Sequence, residues 1–138
     1  MGIDIETKND HTKEFLAELE QRIQAALESV GNHAVSHAKS NITQAGRIGQ
    51  GTMRDSITHQ VEGDTCYVGT NNEYAVYHEL GTGIYADGGG GRKTPWTYKD
   101  EDGEYHTTRG IRPIHFLKNA VESNKEEYRK IIEDELKK

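Results

Sequence analysis

His33 and His37 stand four residues apart in a segment with helical spacing, where two imidazoles could share a metal ion. The intervening Ala34, Val35 and Ser36 supply no glutamate for an HExxH pattern, and no cysteine pair lies near. The pair therefore reads as ordinary, partly exposed histidines. His78 and Glu79, close to Tyr74 and Tyr77, could furnish a general acid and a general base. No nucleophile elbow, paired carboxylate motif or second convergent histidine accompanies them, and packing of a short helix explains the tyrosines more simply. The glycines Gly88, Gly89, Gly90 and Gly91, followed by Arg92 and Lys93, could cradle phosphate with bare backbone N–H groups. They lack the spacing of a phosphate-binding loop and lead into a strand rather than a helix. Arg92, Lys93, Arg109 and Arg112, beside Trp96 and Tyr98, could contact nucleic acid; a solvated hairpin base is the simpler reading. No catalytic, cofactor-binding or metal-ligating residue is assigned on this basis, and no cofactor is called for.

These residues must be positioned by elements whose periodicity is legible. From residue 12 to about 45, Leu16, Leu19, Ile23, Leu27, Val30, Ala34, Ala38 and Ile42 recur every three or four residues, predicting a long amphipathic helix of roughly 50 Å. Gly31 and Asn32 offer a kink or break within it. The glycine-rich segment 46–52, with Ile48 as its one apolar residue, predicts a mobile loop. Residues 56–62 then alternate, with Ile57, His59 and Val61 on one face. Gly63-Asp64 turns the chain into 65–69, giving a tight hairpin. Asn72 can cap a short helix over 73–80 that Gly81 ends. Residues 83–93 predict a flexible tip, and 94–100 with 104–109 predict a second, mostly solvated hairpin turning at 100–103. After Pro113 a final helix over 114–136 would bury Phe116, Leu117, Ala120, Val121, Tyr128, Ile132 and Leu136, with its seam interrupted at 122–127. The expected fold is α+β: a long N-terminal helix, a small antiparallel sheet of hairpins, a short middle helix and a C-terminal helix.

The 138 residues fit a single domain. Seventeen Lys and Arg against 23 Asp and Glu give a net charge of −6, which argues against a broad nucleic-acid-binding face. A hydrophobic content of 33% and a mean hydropathy of −0.88 imply a thin core and reliance on neighbours, so an oligomer is expected. No run of the sequence is long and apolar enough for a membrane helix, and the acids near the N-terminus are unlike a signal peptide. Cys66, the single cysteine, cannot form an internal disulfide; it reads as a buried structural thiol, consistent with assembly in a reducing cytoplasm.

Three separated segments together resemble the head-tail joining, or tail-completion, proteins of long-tailed bacteriophages and prophages, also described as minor tail components. The first is 51–57, containing Arg54, Ser56 and Ile57. The second is 74–83, with Tyr74, Tyr77, Glu79, Gly81 and Thr82. The third is 112–120, with Pro113, Phe116 and Leu117. The likeness spans residues 12–121. His115 departs from it by separating Pro113 from the aromatic residue, and so does the insertion-like section 83–109.

The resemblance implies a structural virion protein without enzymatic activity. It would form a ring, commonly of six subunits, between the head-side stopper or connector and the tail tube or its terminator, after assembly in the host cytoplasm. On this reading the motif residues have structural roles, with Tyr74, Tyr77 and Glu79 fixing the turn at Gly81 and Thr82. The loops 46–52 and 83–93, with Ile48, Gly88, Gly89, Gly90, Gly91 and Arg92, would order on docking to neighbours. DNA would pass through the lumen without specific binding, and acidic side chains there would repel its phosphates. The alternatives are a tail terminator or other neck ring and, from other classes, a small metal-dependent hydrolase using His78, Glu79 and His106 or His115, or a nucleic-acid-binding module.

Overall fold

A computed structural model describes residues 5–49 and 51–138, with side chains from residue 11 onward. Gln50, in the 46–52 loop, lies outside the described residues. In chain order the elements are helix α1 (Ile5–Gln44), short helix α2 (Thr52–Asp55), strands β1 (Thr58–Glu62) and β2 (Thr65–Gly69), helix α3 (Ala75–Leu80), strands β3 (Trp96–Lys99) and β4 (Tyr105–Thr108), and helices α4 (Phe116–Glu122) and α5 (Lys125–Leu136). The fold is α+β as expected, with two separate antiparallel hairpins rather than one sheet. No helix among the described residues is long and apolar enough to cross a membrane.

α1 is the spine on which the β1–β2 hairpin, α4 and α5 pack. Its inward positions Ala26, Ala34, Ala38 and Ile42 are at most 2% exposed, and the three alanines let the packed elements approach closely. The core is thin: Phe116, Ile42 and Ile57 are its largest fully buried side chains, joined by Met53, Ala75 and Ala120. Phe116→Ala would cost about 3–5 kcal/mol, because so little else fills that centre.

Gly31 neither kinks nor ends α1, which runs unbroken from Ile5 to Gln44. Its role is clearance: a Cβ at residue 31 would collide with the ring of His59, whose Nε2 meets Glu28 Oε2 at 2.8 Å. The glycine thus admits β1 to the helix surface. The β1–β2 register pairs His59 with Val68 and Val61 with Cys66, as the alternation predicts, and Gly63 takes φ 59° in the turn. Cys66 is partly rather than fully buried, and burial, with Glu28 nearby, raises its thiol pKa.

The final helix is two helices. Asn124 and Tyr128 both donate to the Ala120 carbonyl, from Nδ2 at 3.0 Å and the hydroxyl at 2.5 Å, and redirect the chain between Glu122 and Lys125. The polar run 122–127 offers no apolar side chain to hold a continuous seam. Val121 is consequently 45% exposed and Leu136 36%, whereas Phe116, Ala120 and Tyr128 are buried as expected. α3 begins two residues later than its cap suggested. Asn72 Oδ1 accepts from the Tyr74 N–H at 2.8 Å and forms the turn that precedes the helix.

Candidate functional site

The three motif segments converge where α3 meets the start of α4. Ala75, His78 and Glu79 form the inward side of α3, spaced three and four residues apart. Tyr74 and Tyr77 point outward, 65% and 48% exposed, so packing within the chain does not explain them. Glu79 reaches across to α4, where its Oε2 accepts the Leu117 N–H at 2.8 Å and its Oε1 the Lys118 N–H at 2.9 Å. This carboxylate caps a helix 38 residues downstream and faces its positive end. A local cap is missing because His115, at the N-cap position, sits in the left-handed region (φ 47°) and makes no side-chain cap bond.

The chain after α3 is bonded to the chain before α4. The Thr82 N–H donates to the Ile111 carbonyl and the Ile111 N–H to Thr82 Oγ1, both at 2.9 Å. The Ile84 N–H donates to the Arg109 carbonyl at 3.1 Å, and the Ile114 N–H to the His78 carbonyl at 2.9 Å. Gly81, at φ 77°, leaves no room for a Cβ: that atom would lie 2.7 Å from the Tyr85 carbonyl oxygen and 2.8 Å from Pro113 Cδ. At Gly83 a Cβ would collide with the Arg109 carbonyl. The Gly-Thr-Gly sequence is therefore a close crossing of two backbone segments.

The first motif lies beneath this junction. Ile57, 2% exposed, shares the core with Phe116 and Ala75, while Leu117 packs against it partly buried. Ser56 Oγ bonds the Met53 carbonyl and Thr70 Oγ1, which in turn accepts the Asn72 N–H at 3.0 Å. Arg54 Nη1 donates to Thr43 Oγ1 at 3.3 Å, tying α2 to the end of α1. Arg47 Nη1 lies 3.3 Å from His78 Nδ1. Arginine can only donate, so that nitrogen accepts, and burial followed by the Arg47 charge lowers the His78 pKa. Arg47 thus braces a neutral imidazole at His78, and no sequence signal pointed to Arg47 as its partner.

The remaining candidates fall elsewhere. His33 Nδ1 and His37 Nε2 take opposite oxygens of Glu127 on α5, at 3.0 and 2.6 Å. These bonds, His37 foremost, hold the Glu127 carboxyl below its ordinary pKa. Ile48 is half-buried, and its carbonyl accepts the Gly51 N–H at 2.8 Å. Gly83–Tyr85 and Asp87–Gly89 form 3-10 turns. Gly88, Gly89 and Gly90 face open space, whereas a Cβ at Gly91 would collide with the Gly83 carbonyl. Arg92 bonds Thr94 Oγ1 at 3.1 Å and lies 5.5 Å from the centre of the Trp96 ring; Arg112 lies 4.4 Å from that of Tyr85. Among the described residues, Asp100, Glu104 and His106 bring one ligand atom each within 4.8 Å of one another at the exposed tip of β3–β4. Asp100 already accepts two backbone N–H groups and bonds His106, which hold its carboxyl below the usual range.

Fold and junction define a small α+β protein in which Arg54, Ser56, Ile57, Glu79 and Thr82 brace its own elements while Tyr74 and Tyr77 face outward. Residues 6–81 match the model of the HK97-gp10-like family, the bacteriophage HK97-gp10 tail component. The match covers more than half of the chain, which belongs to this family of bacteriophage tail components. No curated protein and no solved structure matches it.

Proposed function

We propose that the chain is a tail-completion subunit of the virion neck. It forms a ring, six-membered as the family resemblance implies, that joins the head-side connector to the tail tube and catalyses no reaction. The observation that carries this reading is an apolar surface left in water on and beside α3. Tyr74, Val76, Tyr77, Leu80 and Ile84 are between 41% and 65% exposed, whereas no buried side-chain polar atom among the described residues lacks a partner. A chain that satisfies its interior yet leaves such a patch uncovered is suited to being covered by other subunits. The net charge of −6 agrees with a lumen through which DNA slides without sticking.

In this role Arg54, Ser56, Ile57, Glu79, Gly81, Thr82, Pro113, Phe116 and Leu117 build the body, and Tyr74 and Tyr77 face a neighbour. Ile48 with 46–52, and Gly88 to Gly90 with Arg92, meet the stopper and the tube or its terminator. The packing of Gly91 on Gly83 limits the dispensable tip to Gly88–Gly90. Removing those three residues should spare folding and reduce head-tail joining; undiminished joining would contradict the docking role.

Deleting the gene from the phage tests the function itself. The expected lysate contains DNA-filled heads and separate tails, and joining returns when the chain is supplied in trans. Joined, infectious particles formed without the chain would overturn the reading. Tails of uncontrolled length would instead point to a tail terminator.

A further inference from the structure

His33, His37 and Glu127 form a cluster that the proposed role does not use. The two histidines lie about one turn apart on one face of α1. Glu127 comes from the first turn of α5, 94 residues after His33 and 90 after His37. Two imidazoles at this helical spacing are a metal-ligating pair, and what the sequence around them lacks is a carboxylate. The fold supplies it. One oxygen of Glu127 meets His33 Nδ1 at 3.0 Å and the other meets His37 Nε2 at 2.6 Å. Among the described residues this carboxylate makes no other hydrogen bond.

Two nitrogens and one oxygen are the donor set of a borderline divalent ion such as zinc, with a fourth position left to water. An ion that binds a nitrogen and an oxygen at about 2.0–2.1 Å in tetrahedral geometry holds them about 3.3 Å apart, close to both observed separations. The tautomers fit as well. A neutral imidazole that donates to Glu127 keeps its lone pair on the outer ring nitrogen; moving the proton outward turns a lone pair toward the carboxylate, where the ion replaces both hydrogens. Glu127 is ionised for this, because its bonds, His37 foremost, hold its carboxyl below the ordinary value. The rings meet opposite oxygens, so a shared ion requires one of them to turn inward. His37 sits edge-on to the Tyr128 ring, whereas His33 has 49% of its side chain in water and room to turn. At the β3–β4 tip Asp100, Glu104 and His106 offer one imidazole rather than two, and Asp100 is taken by two backbone N–H groups.

We propose that His33, His37 and Glu127 bind one divalent transition-metal ion, zinc by their chemistry, and that the ion clamps α5 to α1. The clamp acts where packing is sparse, since Tyr128 is the one buried side chain of α5. All three ligands come from one chain, so the site does not depend on the ring reading.

The test uses the full chain, stripped with a chelator and titrated with zinc chloride alone. Calorimetry should give one ion per chain, and long-range proton–nitrogen spectra should show the ring nitrogens of His33 and His37 shifting together while those of His106 stay. Zinc should also raise the thermal midpoint. His33→Ala, at a half-exposed position, should keep the fold and weaken zinc binding at least about tenfold. Glu127→Gln, which preserves shape, should do the same, and His106→Ala should bind as the unsubstituted chain does. Zinc that shifts His106 instead of the pair, binds His33→Ala and Glu127→Gln undiminished, or moves no histidine at excess would overturn the site.

Discussion

At the scale of single residues, Glu79 joins two motifs that are far apart in sequence. Its carboxylate supplies the cap that His115 fails to give α4. Glu79→Ala should therefore lower stability by about 1–2 kcal/mol, read from urea unfolding, because two N–H groups at a helix start lose their acceptor. Glu79→Gln should recover part of the loss, since one amide oxygen can still accept. A midpoint unchanged in both variants would remove the capping role. Gly31 makes an opposite point about propensity. In an exposed helix Gly→Ala gains about 1 kcal/mol, but here the new methyl group meets the His59 ring. Gly31→Ala should destabilise the chain, and pairing it with His59→Ala should restore most of the loss, a coupling that a double-mutant cycle measures.

At the scale of elements, what could be read from the sequence is what local chemistry decides. The apolar stripe from Leu16 to Ile42 and the turns at Gly63-Asp64 and 100–103 specify α1 and both hairpins within a few residues of themselves. The break between α4 and α5 was only half visible. The missing apolar residues at 122–127 marked the place, but the bonds of Asn124 and Tyr128 to Ala120 that redirect the chain depend on how α5 lies on α1. Partners remote in sequence carry no local mark: Glu127 with His33 and His37, Arg47 with His78, and Glu79 with α4. The α1–α5 contact also has a pH signature. The Glu127 pKa is depressed in the folded chain, so its contribution is complete above the unfolded carboxylate range and fades as pH falls through the lower folded value. Urea midpoints of the unsubstituted chain and Glu127→Gln should accordingly differ near neutral pH and converge in acid. A constant gap across that range would deny the linkage.

At the scale of the whole molecule, a thin core on one long helix leaves apolar surface on and beside α3 and at Phe15 and Leu16 of α1. A chain in the tail-component family, with its interior satisfied and its surface unfinished, fits a part completed by its neighbours. The most direct test is the mass in solution by light scattering, first of the chain alone and then with purified tail tubes. The predicted result is a closed multiple of the 15.5 kDa chain, either free in solution or formed at the tube end. A 15.5 kDa monomer indifferent to tubes and to head-side connectors would contradict it.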